Sequence, residues 1–358
     1  MIAFFISTSP IFADQVNNEK EVFFKVLSEK IPKTRDIVYI SETYSSDPSA
    51  KGNTIITVRA MKDDGSDSVS IIEGKSIFSI QVSPDKNKLL LIAPDHSPRK
   101  NDNTDWLNSH IWLYDKGKIK QLTSGMVMDS DAIWSPEGDK IYFTRSKIFS
   151  DVISGMLNAE ESNVWVMNAN GSKPVQLTSS KKDVINITPT PIKNSKKILF
   201  TTNRNTKWQM FIMDKDGSNQ TLFLDNGMLG KWSPDGKFLA YMDSSPGDIY
   251  LAGQNGQLIT RLTSNGDVSF SPTWSPDSQY LTYSRINAAY FNTSHFSDNV
   301  HPHENDKNFF GDLPKSFLQK DPYADIWKLS VNKKEAPKRL TYKGMNNNFP
   351  HWITMSLD

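Results

Sequence analysis

Apolar residues in this chain come in short runs rich in β-branched and aromatic side chains, separated by clusters of Gly, Asp, Asn, Ser and Pro. Runs of that length and make-up, such as Phe238 to Met242 and Leu281 to Ser284, predict β-strands bounded by turns. Helical spacing shows in one segment. Over residues 17–31, Val22, Phe23, Val26, Leu27 and Ile31 share one face. Residues 14–36 are therefore expected to form a helical or linker segment ahead of the main fold. Met1 to Ala13 reads MIAFFISTSPIFA, an apolar run ending in a small residue at a sharp break to polar chain. That pattern predicts a truncated export signal, since the basic start of such signals is missing. The expected location is the periplasm, the cell envelope or the exterior. No run approaches the ~18 continuous apolar residues that a membrane-spanning helix needs.

The strand-like runs repeat in a fixed frame. Trp134-Ser-Pro-Glu-Gly-Asp-Lys-Ile-Tyr-Phe recurs from Trp232 as Trp-Ser-Pro-Asp-Gly and from Trp274 as Trp-Ser-Pro-Asp-Ser. Weaker copies start at Val82 and Pro191, and His351-Trp352-Ile353 begins a sixth. In each copy a strand ends at the Trp position, and Ser-Pro-Asp-Gly then supplies a tight turn. A second strand follows, then a third (Ile111 to Tyr114, Val164 to Met167, Met210 to Met213, Ile249 to Ala252, Ile326 to Leu329). The third closes through a polar hairpin, such as Asp214-Lys-Asp-Gly217, onto a last strand that runs into Leu-Thr at 122–123, 177–178, 262–263 and 340–341. Four antiparallel strands in a unit of roughly 40 residues describe a WD-repeat-like propeller blade. The Trp positions 82, 134, 191, 232, 274 and 352 predict six blades in an all-β ring over residues 37–358. The sixth takes its first strand from Asn348 to Thr354 and the others from Ile37 to Ser41, Thr54 to Met61 and Ser68 to Ile72. Sharing a blade between the two ends leaves no open sheet edge along the ring.

The Leu-Thr and Trp-Ser-Pro-Asp-Gly pattern resembles the repeat of TolB-type propellers, which also occurs in prolyl-oligopeptidase-like peptidases. The resemblance spans about residues 37–354 and implies a six-bladed fold. TolB-type proteins carry a mixed α/β domain ahead of the propeller, and residues 14–36 are too few to supply one. The peptidases keep their catalytic Ser, Asp and His in a separate α/β-hydrolase domain. This chain shows no Gly-x-Ser-x-Gly elbow, His-Glu-x-x-His pair, P-loop or dinucleotide fingerprint.

Composition narrows the partners. The 41 basic and 40 acidic side chains leave a formal charge of +1, which offers no electrostatic footprint for nucleic acid. Cysteine is absent, which excludes disulfides, thiolate metal sites and a cysteine nucleophile. The aromatic residues divide in two. The repeat tryptophans are expected to pack between blades, whereas others fall in three insertions between second and third strands: Pro94 to His110, Arg145 to Asn163 and Arg285 to Ala324. Loops of this length without regular structure are uncommon unless functional or disordered. Trp106, His110, Phe149, Tyr290, Phe291, His295, Phe296, Phe309, Phe310 and Tyr323 form the candidate binding surface for a protein, peptide or glycan. Inter-blade linkers add Asp129, Asp131, Asp183, Asn186, Asp267, Asn346 and Asn347 around the channel mouth, together with Asn348.

His301, His303 and Glu304 are suitable ligand types for a divalent cation, although Pro302 imposes an extended rather than a helical spacing. No other cofactor is expected. The leading expectation is an exported, non-catalytic, monomeric binding propeller. The alternative is a metal-assisted carbohydrate lyase or hydrolase, with His301, His303 and His110 as ligands.

Overall fold

The structure is a computed structural model that describes residues 24–44, 54–74, 76–94, 109–150, 157–181, 184–243, 247–264, 266–286, 324–342 and 346–353. Every element among them is a β-strand. The chain enters through β1 (Phe24–Val26), β2 (Ile37–Tyr44), β3 (Thr54–Met61) and β4 (Val69–Gly74). The first blade follows as β5 (Ser79–Val82), β6 (Lys88–Pro94), β7 (Ser109–Asp115) and β8 (Lys118–Gln121). The second is β9 (Val127–Trp134), β10 (Lys140–Ser150), β11 (Leu157–Asn168) and β12 (Val175–Gln176). The third is β13 (Asn186–Pro191), β14 (Lys197–Thr202), β15 (Gln209–Asp214) and β16 (Thr221–Leu224). The fourth is β17 (Met228–Trp232), β18 (Phe238–Met242), β19 (Ile249–Gly253) and β20 (Leu258–Arg261). The fifth is β21 (Val268–Trp274), β22 (Tyr280–Ile286), β23 (Asp325–Ser330) and β24 (Lys338–Arg339), before β25 (Asn346–Trp352).

Each of the five internal blades is a four-stranded antiparallel sheet in chain order. The closing blade has the order β1-β4-β3-β2-β25, so its inner strand comes from the far end of the chain. Contacts run from β5 to β9, β13, β17, β21, β25 and back to β5, which closes the ring around an axis. A six-bladed propeller shared between the two ends is the expected architecture, and the structure has it.

Local chemistry explains why the repeat folds this way. In the Trp-Ser-Pro turns the serine hydroxyl accepts the N–H that starts the next strand, as Ser233 does from Phe238 at 3.0 Å and Ser275 from Tyr280 at 2.8 Å. The same hydroxyl donates to the turn aspartate, Asp235 at 2.6 Å or Asp277 at 2.5 Å. In the second blade Glu stands at that position, and Ser135 donates instead to Asp139 at 2.8 Å. Blades then stack through the hairpins between third and fourth strands. Gly256, at φ +80°, would place a Cβ 2.6 Å from the Phe223 carbonyl of the preceding blade, so only glycine lets the two blades close. Trp134, Trp274 and Trp352 are buried between neighbouring sheets, Trp274 donating its indole N–H to the Lys231 carbonyl at 2.8 Å. The expected structural role of these tryptophans holds.

Two local expectations need correction. Of the segment predicted helical, residues 24–26 form a strand paired antiparallel to β4, with Phe24 opposite Gly74. Phe24 and Val26 turn inward and Lys25 outward, a period of two. The open edge of β4 supplies backbone partners that a helix would forgo, and Phe24 packs edge-on against Trp112 with ring centroids 5.3 Å apart. The second correction concerns Arg145 to Asn163. Rather than a loop, most of it continues β10 and β11 as a hairpin arm, paired out to Ser150 opposite Leu157.

Candidate functional site

Antiparallel pairing decides which end of the ring carries the extra chain. Ile286 at the end of β22 lies opposite Val268 at the start of β21, and Asp325 at the start of β23 lies opposite Arg285. The segments that leave β6, β10 and β22 therefore depart from the end of the ring where the inter-blade linkers enter the axial strands. That end is the mouth described next.

Around the mouth, a hydrogen-bonded unit recurs. The threonine of each Leu-Thr pair accepts a backbone N–H of the third strand: Thr123 from Ile111, Thr178 from Val164, Thr263 from Ile249 and Thr341 from Ile326, all at 2.9 Å. The hydroxyl then donates to the side chain just before that N–H: Asn163 at 3.0 Å, Asp248 at 2.9 Å and Asp325 at 2.7 Å. In the first blade this position is His110. It lies on β7, fully buried, with Nδ1 3.9 Å from Asp129, and so is not part of an exposed loop surface.

Most of the expected mouth residues serve this frame. Asp129 is fully buried and takes two hydrogen bonds from Arg145, at 2.7 and 2.9 Å. Burial pushes its carboxyl up, but hydrogen bonds from Arg145, His110 and Thr123, with the charge of Arg145, together hold it below the ordinary carboxylate value. Arg145 in turn lies over the Phe143 and Trp165 rings, 5.2 Å from each centroid. Asn186 accepts from Arg204 at 3.0 Å, and Asp267 from Arg285 at 2.7 Å. Asn347 donates to Asp325 at 3.4 Å, and Asp325 is paired with Arg339. These groups stand where the linkers enter the axial strands. Their polar atoms, however, brace strand ends with charge-assisted bonds.

Asp131 differs. It sits at φ 52°, as do Thr188 and Ser271, with Leu229 at 58° and Phe349 at 51°. All five stand three residues before a Trp position, where the axial strand bulges against its neighbour. The bulge frees an N–H that the previous blade captures: Thr188 donates to Thr144 at 3.0 Å, Leu229 to Thr201 at 3.2 Å and Phe349 to Ser284 at 3.1 Å. Blades are thus stitched next to the axis. Asp131 itself accepts from Thr144 at 2.8 Å and Ser130 at 3.1 Å, and burial raises its carboxyl above the ordinary value.

One level deeper, immediately before each Trp position, the axial strands carry Gln81, Ile133, Thr190, Lys231, Thr273 and His351. Burial lowers the Lys231 ammonium, partly offset by attraction to Asp131. His351 is pushed down to about 4, first by burial and further by Lys231. Gln81 bonds its Nε2, and its Nδ1 lies 3.2 Å from the Trp352 carbonyl. Asp131, Lys231 and His351 stand on the axial strands of alternate blades, the second, the fourth and the closing one. Sequence reasoning missed this set, apart from Asp131. The available signal was the residue before each Trp, which varies inside an otherwise constant frame.

The other expected site residues are not described. Trp106, Asp183, Tyr290, Phe291, His295, Phe296, Phe309, Phe310 and Tyr323 lie outside the described residues, as do the metal candidates His301, His303 and Glu304. Phe149 lies on β10 opposite Asn158, and Asn346 opens β25; their side chains are likewise outside. Among the described residues no grouping of three His, Asp or Glu side chains suits a metal ion, and no helix is long and apolar enough to cross a membrane.

A family model described as the TolB beta propeller domain matches residues 149–291. The fold is similar to TolB from Acinetobacter baumannii (TM-score 0.62, 16% identity, 90% of this chain and 67% of that one). It is also similar to a protein assigned as TolB from Agrobacterium tumefaciens (TM-score 0.54, 13% identity, 88% and 90%). Hydrazine synthase from Kuenenia stuttgartiensis shares it too (TM-score 0.58, 12% identity, 90% and 47%). At these identities the likeness is one of fold. No curated protein matches the sequence. Repeat grammar, ring topology and family model agree that this chain carries a TolB-like six-bladed β-propeller.

Proposed function

We propose that the chain is an exported, non-catalytic binding propeller that engages a protein, peptide or glycan partner through its insertion-bearing face. The observation that carries this reading is the common departure of all three insertions from the linker end of the ring. The strands from which the three insertions depart end on one face, at a mouth braced by arginine clamps, and the β10–β11 arm extends from the same end. A braced rim fixes the points from which the insertions leave, which lowers the ordering cost of binding. The apolar Met1 to Ala13 run supports export.

Deleting residues 292–318 from the full chain tests the reading. The expected result is unchanged cooperative melting together with loss of the partner captured from an envelope extract, or of the signal on a glycan array. Retained capture by the deleted protein would move the binding face elsewhere.

A further inference from the structure

One arginine of the mouth is unlike the others. Arg145, Arg261, Arg285 and Arg339 each hold a carboxylate, from Asp129, Asp248, Asp267 and Asp325. Arg204, in the turn that follows β14, forms no ion pair among the described residues, and its partners are neutral. Nη2 donates to Asn186 at 3.0 Å and to Gln220 at 2.9 Å, and Nε reaches the Thr202 hydroxyl at 3.4 Å. Nη1 has no acceptor among the described residues. The guanidinium lies over the Phe211 ring, 4.4 Å from its centroid, and 5.3 Å from that of Phe200. Burial lowers it from the ordinary arginine value, and no carboxylate among the described residues opposes that shift. A half-buried cation without a counter-charge is costly, and proteins seldom leave one so.

The second blade carries the same arrangement complete. Arg145 lies over Phe143 and Trp165 as Arg204 lies over Phe200 and Phe211. Asp129 stands five residues before Trp134, and Asn186 stands five before Pro191, so an amide takes the place of the carboxylate. Asp225 of the third blade does not compensate, because Lys207 and Gln209 hold it. The linker into β13 adds Lys181, exposed and without an ion pair among the described residues. What this sector lacks is a carboxylate, and a partner can bring it. We propose that Arg204 anchors a carboxylate of an acidic peptide segment that docks on the third-blade sector of the mouth. Its guanidinium is already oriented by the rings and amides, so little freedom is lost when the acid arrives. The assignment rests on the mouth being the binding face, and it narrows the partner to an acidic peptide.

Fluorescence anisotropy of labelled hexaglutamate and hexaglutamine peptides with the full chain, at low ionic strength, tests it. Hexaglutamate is expected to bind roughly tenfold more tightly or better, and added salt should weaken it. Two variants approach the site from opposite sides. Arg204→Gln removes the cation, whereas Asn186→Asp supplies the internal carboxylate that Arg145 already has. Each should weaken hexaglutamate roughly fivefold or more while the protein still melts cooperatively. Hexaglutamate binding no tighter than hexaglutamine, or binding that survives both substitutions, would overturn the proposal. So would tighter binding of hexathymidylate, which would assign the site to phosphate. Were Arg204→Gln to misfold, Asn186→Asp would decide it, since that change adds a counter-charge and removes no cation. Failure of these tests, with partner capture still lost on deleting residues 292–318, would sink the carboxylate anchor and leave the binding face standing.

Discussion

Asp129 and Asp131 stand two residues apart on one axial strand, and their environments push their carboxyls in opposite directions. Asp129 faces a guanidinium that sits on two aromatic rings, and its charge is matched by two short hydrogen bonds. Asp131 lies beyond the bulge, where its partners are hydroxyls and the nearest cation does not touch it. Both are acidic, both are near the axis, and only one has its charge balanced within the protein. A carboxylate held by an arginine keeps its charge when buried; one held by hydroxyls and a backbone N–H is pushed towards its neutral form. Asp267 is likewise held by an arginine, whereas burial raises the Asp325 carboxyl in spite of its pairing with Arg339.

The sharpest way to break this comparison is Asp129→Ala. It strands the buried Arg145 guanidinium, and losing one member of a buried pair costs about 3–5 kcal/mol. Chemical denaturation should show that loss, and Arg145→Met combined with it should recover part. A drop below ~1 kcal/mol would mean the clamp is not structural.

Acid should act next, through His351. Its folded value of about 4 lies below the ordinary 6.5, so the unfolded chain binds the proton first. Stability from the neutral ring is complete above pH 6.5 and is lost as pH falls through about 4. A shift of that size corresponds to at most about 3 kcal/mol, less whatever channel water screens. His351→Gln should remove this part of the acid slope. An unchanged slope in the variant would place the His351 ring outside the channel.

Which features were legible in the chain follows from how local their causes are. The Ser-Pro-Asp-Gly turns and the Leu-Thr pairs close hydrogen bonds within a few residues or within one blade, so the repeat alone exposes them. Blade sharing was legible as well, because the repeat count leaves one strand unmatched at the C-terminal end and three at the N-terminal end. The strand at Phe24 was not, since it forms only because β4 presents a free edge some 48 residues away. Nor was the channel set. Lys231 and His351 are 120 positions apart, and they face one another only once six blades have closed. The linker sequences offered Asp129, Asn186 and Asp267 as candidates, but the chemistry of these residues depends on arginines that the linkers do not contain.

The smallest expected effect discriminates best. Asp131→Asn keeps an oxygen that both Thr144 and Ser130 can donate to, and it removes the ionised form that burial disfavours. The sign follows from the raised folded value: wild-type stability from this group is present at acid pH and declines as pH rises through that value. At acid pH, where Asp131 is protonated, variant and wild type should unfold alike. Towards neutral pH the variant should gain relative to wild type, less the lost attraction to Lys231. Asp129→Asn must move the other way, because its lowered value makes its contribution largest at neutral pH and smaller in acid. Urea midpoints for both variants across that range would therefore diverge with opposite signs. Parallel curves would show that the two carboxylates share one environment, and the distinction between braced rim and open channel would fall with them.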